Sequence, residues 1–316
     1  MSGKNVTDMV LADAAGIARA ARILESGGLV AVPTETVYGL AARADSAEAA
    51  AKIYAAKGRP DFNPLIVHVR DAEQAARYGS FSPEAAALAQ QYWPGPLTLV
   101  VPRRADAGLA DAVTAGLPTV ALRAPAHPVM SALLEQVDFP LAAPSANRSG
   151  FISPTCAAHV LASLDGRIDL VLDGGPTTAG VESTILAVRA DGSIDELRPG
   201  PLQIGHRTAG GETGARLEAR IQAPGQLASH YAPGKPVRLE ATSAEPDEFW
   251  IGFGAVQGDC TLSASGDVNE AAARLYACLH EAARAPQPRI AIAQVPDNGV
   301  GRAINDRLRR AATPPA

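Results

Sequence analysis

Apolar residues recur at helical spacing between positions 13 and 26, where Ile17, Ala20, Ala21, Ile23 and Leu24 form one stripe. Gly27-Gly28 then supplies the left-handed stop that ends such a helix. A continuous apolar run at 29–32 predicts a buried strand. Ser46, with Glu48 behind it, opens a second helix that runs to about residue 56, and Gly58 is its stop. Further strands are predicted at 65–69, 97–101, 119–122, 169–172, 184–188 and 195–197. Short helices are opened by Asp71 and by Ser82, the latter with Pro83 at its first position. Several neighbouring strands have too little chain between them for a crossover helix. The pattern therefore predicts an α/β fold with a twisted mixed β-sheet flanked by helices, not a strict βαβ repeat.

Periodicity is lost between about 205 and 234, where Gly, Thr, Ala and Pro collect as they do in a linker. Beyond it, strands at 237–239, 249–253 and 289–292, a helix at 269–283 and a last helix near Gly301 predict a small α/β domain. The expected division is a first domain at 1–206, a linker at 207–235 and a second domain at 236–316.

Composition narrows the class. A chain of 316 residues suits two domains, and 47% hydrophobic with 19% charged residues is globular rather than disordered. No apolar run approaches the roughly 20 residues of a spanning helix, and no apolar h-region follows the first charged residues. A cytoplasmic protein with no membrane association is expected. Cys156, Cys260 and Cys278 are odd in number, far apart and without C-x-x-C spacing, so they are expected to be reduced and packed, with neither a disulfide framework nor a zinc site. The net charge of −5 lies in the first 206 residues, which hold 16 Lys+Arg against 21 Asp+Glu; the remainder holds 12 of each. A protein built mainly to grip nucleic acid would carry a basic excess, so any RNA contact should be weak and local.

Five polar clusters interrupt the apolar pattern at strand or helix ends, where ligand sites in α/β proteins lie. P-T-E-T-V-Y-G-L at 33–40 offers hydroxyls, a carboxylate and a glycine, and reads equally as a capped turn. K-G-R-P at 57–60, with Asn63 beyond, pairs a point charge with a planar fork as phosphate recognition requires; cations there also offset the helix dipole with no ligand. S-A-N-R-S-G at 145–150, with Ser153 after it, can hold a phosphate or ribose, Ser153 being also a candidate cap for a helix opened by Pro154. E-S-T at 182–184 and R-P-G at 198–200 complete the set. His68 shares a strand face with Ile66 and Arg70, a setting typical of a structural histidine. The six histidines show no metal-ligand pairing, and no G-x-x-x-x-G-K-[ST] loop is present. Glycines 252, 254 and 258 miss the dinucleotide fingerprint by one residue and read as a turn.

In this order, and together with P-L-I-V-H-V at 64–69 and W-P-G-P-L-T-L-V at 93–100, these motifs resemble the YrdC-like domain of the threonylcarbamoyl-AMP synthases. S-H-Y-A-P at 229–233 and G-R-A-I-N-D-R-L at 301–308 resemble the long form of that family, which adds a small Rossmann-like C-terminal domain. Pro144 and Ala42 depart from the family's frequent Thr and Gly.

The resemblance implies a nucleotidyltransferase that condenses L-threonine, bicarbonate and ATP, with Mg²⁺ but no protein-held metal, to threonylcarbamoyl-AMP and pyrophosphate. The product serves threonylcarbamoyladenosine formation at tRNA position 37 through a downstream transferase complex. It implies threonine contacts at Thr36, His68, Arg123, the Ala143 backbone and Ser183. ATP contacts would fall at Arg59, Asn63, Thr119, Ser145, Ser153, Arg198 and Tyr231, the last as part of a lid. Lys57 joins Arg59 as a candidate catalytic cation. The alternatives are a non-catalytic RNA-binding module and a carbamoyltransferase of the hydrogenase-maturation type, for which the chain is short and poor in cysteine.

Overall fold

The computed structural model describes residues 6–189, 191–204 and 221–314. The expected boundary at 206 and residues 207–220 of the expected linker lie outside them. In chain order the first part comprises β1 (Asp8–Leu11), α1 (Ala14–Glu25), β2 (Val30–Val32), β3 (Gly39–Arg43), α2 (Ala47–Lys57), β4 (Ile66–His68), α3 (Ala72–Ala75) and α4 (Pro83–Tyr92). It continues with β5 (Leu97–Pro102), α5 (Asp111–Thr114), β6 (Thr119–Arg123), α6 (Pro128–Gln136), β7 (Leu141–Ala142), α7 (Ala157–Leu164), β8 (Leu170–Asp173), β9 (Thr184–Val188) and β10 (Ile194–Arg198). The second part holds β11 (Val237–Ala241), β12 (Glu248–Gly252), β13 (Cys260–Thr261), α8 (Val268–Arg284), β14 (Arg289–Ala293) and α9 (Gly301–Ala312).

Strands β1 to β10 form one mixed sheet in the order β1-β8-β2-β3-β7-β4-β6-β5-β9-β10. Both faces are covered, so the strands alternate between two apolar layers rather than between core and solvent. Val30 and Val32 pack with Ile17, Leu24 and Met130 of α1 and α6, whereas Ala31 packs with Ile53 of α2 and Val160 of α7. Asp13, Ser46, Asp71 and Ser82 cap their helices through side-chain oxygens, as their spacing predicts. Ser153 does not cap α7: the capping position is Cys156, without a side-chain bond, because the Ser153 hydroxyl is taken by Glu182.

The second sheet is all parallel, in the order β11-β14-β12-β13, with α8 and α9 packed on it. Its apolar cluster also takes in Val37, Ile152 and Val181 from the first part, so the two parts share a core at their junction. The expectation of three reduced cysteines is corrected here. Cys260 of β13 and Cys278 of α8 form a disulfide, with Cα atoms 5.9 Å apart, while Cys156 is free. The helix returns over the strand that precedes it, so residues 18 apart in sequence become neighbours. Sequence spacing alone carries no sign of that packing.

Candidate active site

Segment 33–40 and segment 143–146 run side by side. Leu40 N–H donates to the Pro144 carbonyl at 2.7 Å, and Ala146 N–H to that of Tyr38 at 2.8 Å. Gly39 bridges Ser145, and a Cβ at position 39 would stand 3.2 Å from that of Ala143. This approach lines one wall of a cavity with Thr34, Thr36, Ala143 and Ser145. Strands β4 and β6 pair in parallel with His68 opposite Arg123, so both side chains reach the same cavity. β9 begins just after Glu182 and Ser183, and β10 ends at Arg198; these three and Arg59 close the opposite wall.

Arg123 is buried and oriented from three directions. Its Nη1 donates to Thr36 Oγ1 at 3.0 Å, its Nε to the Gly95 carbonyl at 3.3 Å, and its Nη2 lies 2.7 Å from Glu35 Oε1. A guanidinium has five N–H groups, so donors remain for a carboxylate partner. Burial pushes the Glu35 carboxyl up, but the charge and hydrogen bond of Arg123 prevail and hold it below its ordinary value. His68 is buried, and its Nδ1 has no hydrogen-bond partner among the described residues. Burial, reinforced by the Arg123 charge, depresses its pKa to about 3, so the ring is neutral at physiological pH.

The opposite wall is cationic. Arg198 donates Nε to the Ser183 carbonyl and Nη2 to Ser183 Oγ, each at 3.0 Å, while Ser183 Oγ lies 2.7 Å from Thr98 Oγ1. Gly200 makes this possible, since a Cβ there would stand 2.2 Å from the Thr184 backbone nitrogen. Arg59 donates to the Asn63 and Pro64 carbonyls, and burial lowers its pKa to about 10, so it keeps its charge. Among the described residues neither guanidinium pairs directly with a carboxylate, and the Glu182 charge near Arg198 is shared with Arg307, so this wall favours an anionic ligand.

Four expected residues stand outside this lining. Lys57 is buried with its ammonium on the Ser145 and Asn147 carbonyls, so it braces the 145–150 loop from behind. Burial, with Arg59 nearby, lowers its pKa well below the ordinary lysine value. Asn63 is fully buried, and neither of its amide atoms has a hydrogen-bond partner among the described residues. Thr119 starts β6 and is half-buried. Ser153 Oγ donates to Glu182 Oε1 at 2.6 Å.

Residues 221–234 lie across the cavity. Pro224, Gly225, His230 and Tyr231 complete the lining, and Ala232 N–H donates to the Gly150 carbonyl at 2.8 Å. The opposite side of this strap is tied to α9 and the residue after it, His230 N–H to the Arg310 carbonyl and Ser229 Oγ to that of Thr313. Tyr231 has φ of 63°, and its ring stacks on Tyr276 of α8 with centroids 5.6 Å apart. With the strap seated the cavity measures about 40 Å³, room for a few waters.

Residue-by-residue reading missed Thr34, Glu35, Glu182 and His230 in this region. All four lie inside motifs quoted from the sequence, but a motif does not say which of its side chains point inward. Arg307 and Tyr276, which reach Glu182 from the second part, give no local signal of that contact.

Comparison with known proteins places these features among relatives. A family profile described as "Telomere recombination" matches residues 22–200, and one described as "Threonylcarbamoyl-AMP synthase, C-terminal domain" matches 193–313. The threonylcarbamoyl-AMP synthase of Bacillus subtilis (strain 168) is 41% identical, the match covering 98% of this chain and 96% of that protein. The synthase of Pyrococcus abyssi (strain GE5 / Orsay) is 38% identical over 93% of each. The crystal structure of P. abyssi Sua5 complexed with L-threonine superposes with a TM-score of 0.83, at 35% identity and 97% coverage of both chains.

Proposed function

The chain belongs to the threonylcarbamoyl-AMP synthase family, and on that premise we propose how the side chains of its cavity divide the work. It is an enzyme that condenses L-threonine, bicarbonate and ATP to threonylcarbamoyl-AMP and pyrophosphate, toward tRNA modification. The observation that carries our assignment is a neutral His68 beside an oriented Arg123, facing two buried guanidiniums across one cavity.

Arg123 takes the threonine carboxylate with the donors left free by Glu35, Thr36 and Gly95. Thr36, His68, the Ala143 backbone and Ser183 hold the rest of the amino acid. An uncharged His68 adds no repulsion to the incoming ammonium, which must lose a proton before it can attack bicarbonate. The amine's attack on bicarbonate forms the C–N bond and expels water to give the carbamate, whose oxygen then attacks the α-phosphate as pyrophosphate leaves. The difficulty is bringing two anions together, so the protein contributes alignment and positive charge. Arg59 and Arg198 supply that charge. Asn63, Thr119, Ser145, Ser153 and Tyr231 contact the nucleotide, and Lys57 acts from behind by fixing the carbonyls of Ser145 and Asn147.

Mg²⁺ enters with ATP, held by phosphate oxygens as is usual for this ion. Among the described residues no group of three or more His, Cys, Asp or Glu is arranged for a metal. The strap at 221–234 lifts to admit substrates, because drug-sized ligands occupy roughly 300–1,000 Å³, far above what the seated strap leaves. It then closes and shields the labile adenylate from water. We assign the catalytic domain to 1–206, the lid to 207–235 and the C-terminal domain to 236–316. No helix of the described residues is long and apolar enough to cross a membrane, and the tRNA-directed role supports a cytoplasmic enzyme. Its product passes to a transferase complex, with at most a weak RNA contact.

The test is pyrophosphate release by purified protein with Mg·ATP and bicarbonate, comparing L-threonine with L-serine, L-valine and no amino acid. Release that needs both threonine and bicarbonate supports the reading. RNA binding in the absence of any such release would favour the binding module instead.

A further inference from the structure

At the junction of the two parts a carboxylate is enclosed by four hydrogen bonds. Glu182 Oε1 accepts from Ser153 Oγ at 2.6 Å and from the Tyr276 hydroxyl at 3.1 Å; Oε2 accepts from Tyr276 at 2.9 Å and from Arg307 Nε at 3.1 Å. Tyr276 and Arg307 belong to α8 and α9 of the second part and are fully buried. Arg307 Nη1 also donates to the Pro199 carbonyl at 2.7 Å, next to Arg198. The same guanidinium stands 5.7 Å from the centre of the Tyr231 ring, on which Tyr276 stacks. Two side chains of the C-terminal domain thus touch the neighbours of several cavity residues at once.

We infer that Tyr276 and Arg307 are positioning residues for the nucleotide half of the site, acting through Glu182 on Ser153 and, by way of the threonine-side Ser183 that follows it, on Arg198. This rests on the proposed reaction for its assignment of those three residues. The geometry explains how. Glu182 and Ser183 are consecutive, so a shift of one carboxylate moves the hydroxyl and carbonyl that hold Arg198. Ser153 is aimed by the oxygen it donates to, which leaves its lone pairs to accept. Burial alone would push the Glu182 carboxyl up, yet the charges of Arg307 and Arg198 and the Ser153 hydrogen bond hold it at about 2. Removing Arg307 leaves a buried carboxylate short of its main partner, a costly state relieved by protonation or by movement. Either outcome disturbs Ser153.

The experiment compares full-length wild type with Tyr276→Phe, Arg307→Met and the double variant Arg307→Met/Glu182→Gln. Each is measured for ATP Kd by equilibrium dialysis, for the kcat and KM of pyrophosphate release, and for melting temperature. Tyr276→Phe keeps the ring on Tyr231 and deletes only the hydroxyl. It is expected to raise the ATP Kd and KM about tenfold, near the low end for loss of one hydrogen bond to a charged group because the effect reaches the nucleotide through Ser153, with kcat little changed. Arg307→Met should raise them further, and Glu182→Gln in that background should recover part of the loss, because a neutral amide still accepts from Ser153. Unchanged ATP Kd and KM in Tyr276→Phe, with Arg307→Met affecting only the melting temperature, would overturn the inference and leave these contacts as domain docking alone. Wild type that binds ATP but shows no threonine-dependent release would instead sink the proposed reaction, and the dialysis arm would still decide the positioning role.

Discussion

His68 and Arg123 face one another across the parallel pairing of β4 and β6, a neutral ring beside a permanent cation. The arrangement separates two tasks that one residue cannot perform together, gripping a carboxylate and sparing an amine from extra positive charge.

Arg123→Lys should therefore lose far more than its unchanged charge implies. A lysine cannot satisfy Thr36, Gly95 and Glu35 while presenting a planar fork to a ligand. The KM for threonine is expected to rise by about 100-fold, the value of roughly 3 kcal/mol for a charged bidentate contact, with a smaller change in the KM for ATP. Steady-state kinetics with each substrate varied in turn checks this. Equal rises for both substrates would point to general collapse of the cavity.

The acid side of the stability profile should carry the mark of His68. Its folded pKa of about 3 lies below the ordinary value, so its contribution is fully present above about pH 6.5 and is lost as pH falls from there toward 3. His159, His230 and His280 are depressed in the same direction, mainly by burial, and add to the slope. Replacing His68 with Gln should reduce that slope by up to one proton, about 1.4 kcal/mol per pH unit. Denaturant midpoints measured from pH 7 down to 4.5 test the sign and size.

Gly200→Ala is expected to destabilise the protein by about 2–3 kcal/mol, since the added carbon would overlap backbone atoms of Ser183 and Thr184 rather than a movable side chain. Activity at low temperature should fall with it, because the residues that must shift hold Arg198. A variant as stable and active as wild type would show that β9 and the 198–200 turn have slack that the geometry does not suggest.

Tyr231→Ala tests the strap. Loss of the stack on Tyr276 and of the packing against Arg307 should speed amide exchange across 221–234 and lower turnover about tenfold or more, from an aromatic contact worth about 1.5 kcal/mol plus the buried area. Exchange as slow as wild type would mean that the ties to Gly150, Arg310 and Thr313 suffice without the ring.

Oxidation state should matter to the C-terminal domain. Closing a loop of this length is worth about 3 kcal/mol, so Cys260→Ser should lower stability by roughly that amount under oxidising conditions and by far less with reductant present. Identical unfolding curves with and without reductant would argue against a bridge in solution.

Much of the fold was legible because the cues are local. Asp13, Ser46, Asp71 and Ser82 each announce a helix by a hydroxyl or carboxylate that accepts from a backbone N–H two or three residues on, and Gly58 ends one in the left-handed region. β1, β3, β7 and β13 were missed, being only two to five residues long and defined by their neighbours rather than by their own pattern. The site divides the same way. Thr36, His68 and Arg198 lie in motifs and Arg123 was implied by the family resemblance, and the structure brings all four to one cavity. The expected exposure of Lys57 to substrate was not found, because two backbone carbonyls claim its ammonium. Arg307 and the Cys260–Cys278 bridge depend on packing between distant segments, which periodicity does not encode.

The Glu182–Arg307 contact joins residues 125 positions apart. At ribosomal rates of roughly 5–20 residues per second, the sheet that carries the carboxylate is synthesised on the order of ten seconds before the cation that neutralises it emerges. The first domain must pass that interval with Glu182 either hydrated or protonated, and its junction surface is completed only when the end of the chain arrives. A nascent chain stalled before the second part is made would therefore expose Val37, Ile152 and Val181, the same apolar residues the finished molecule buries, and would be a natural client for a chaperone.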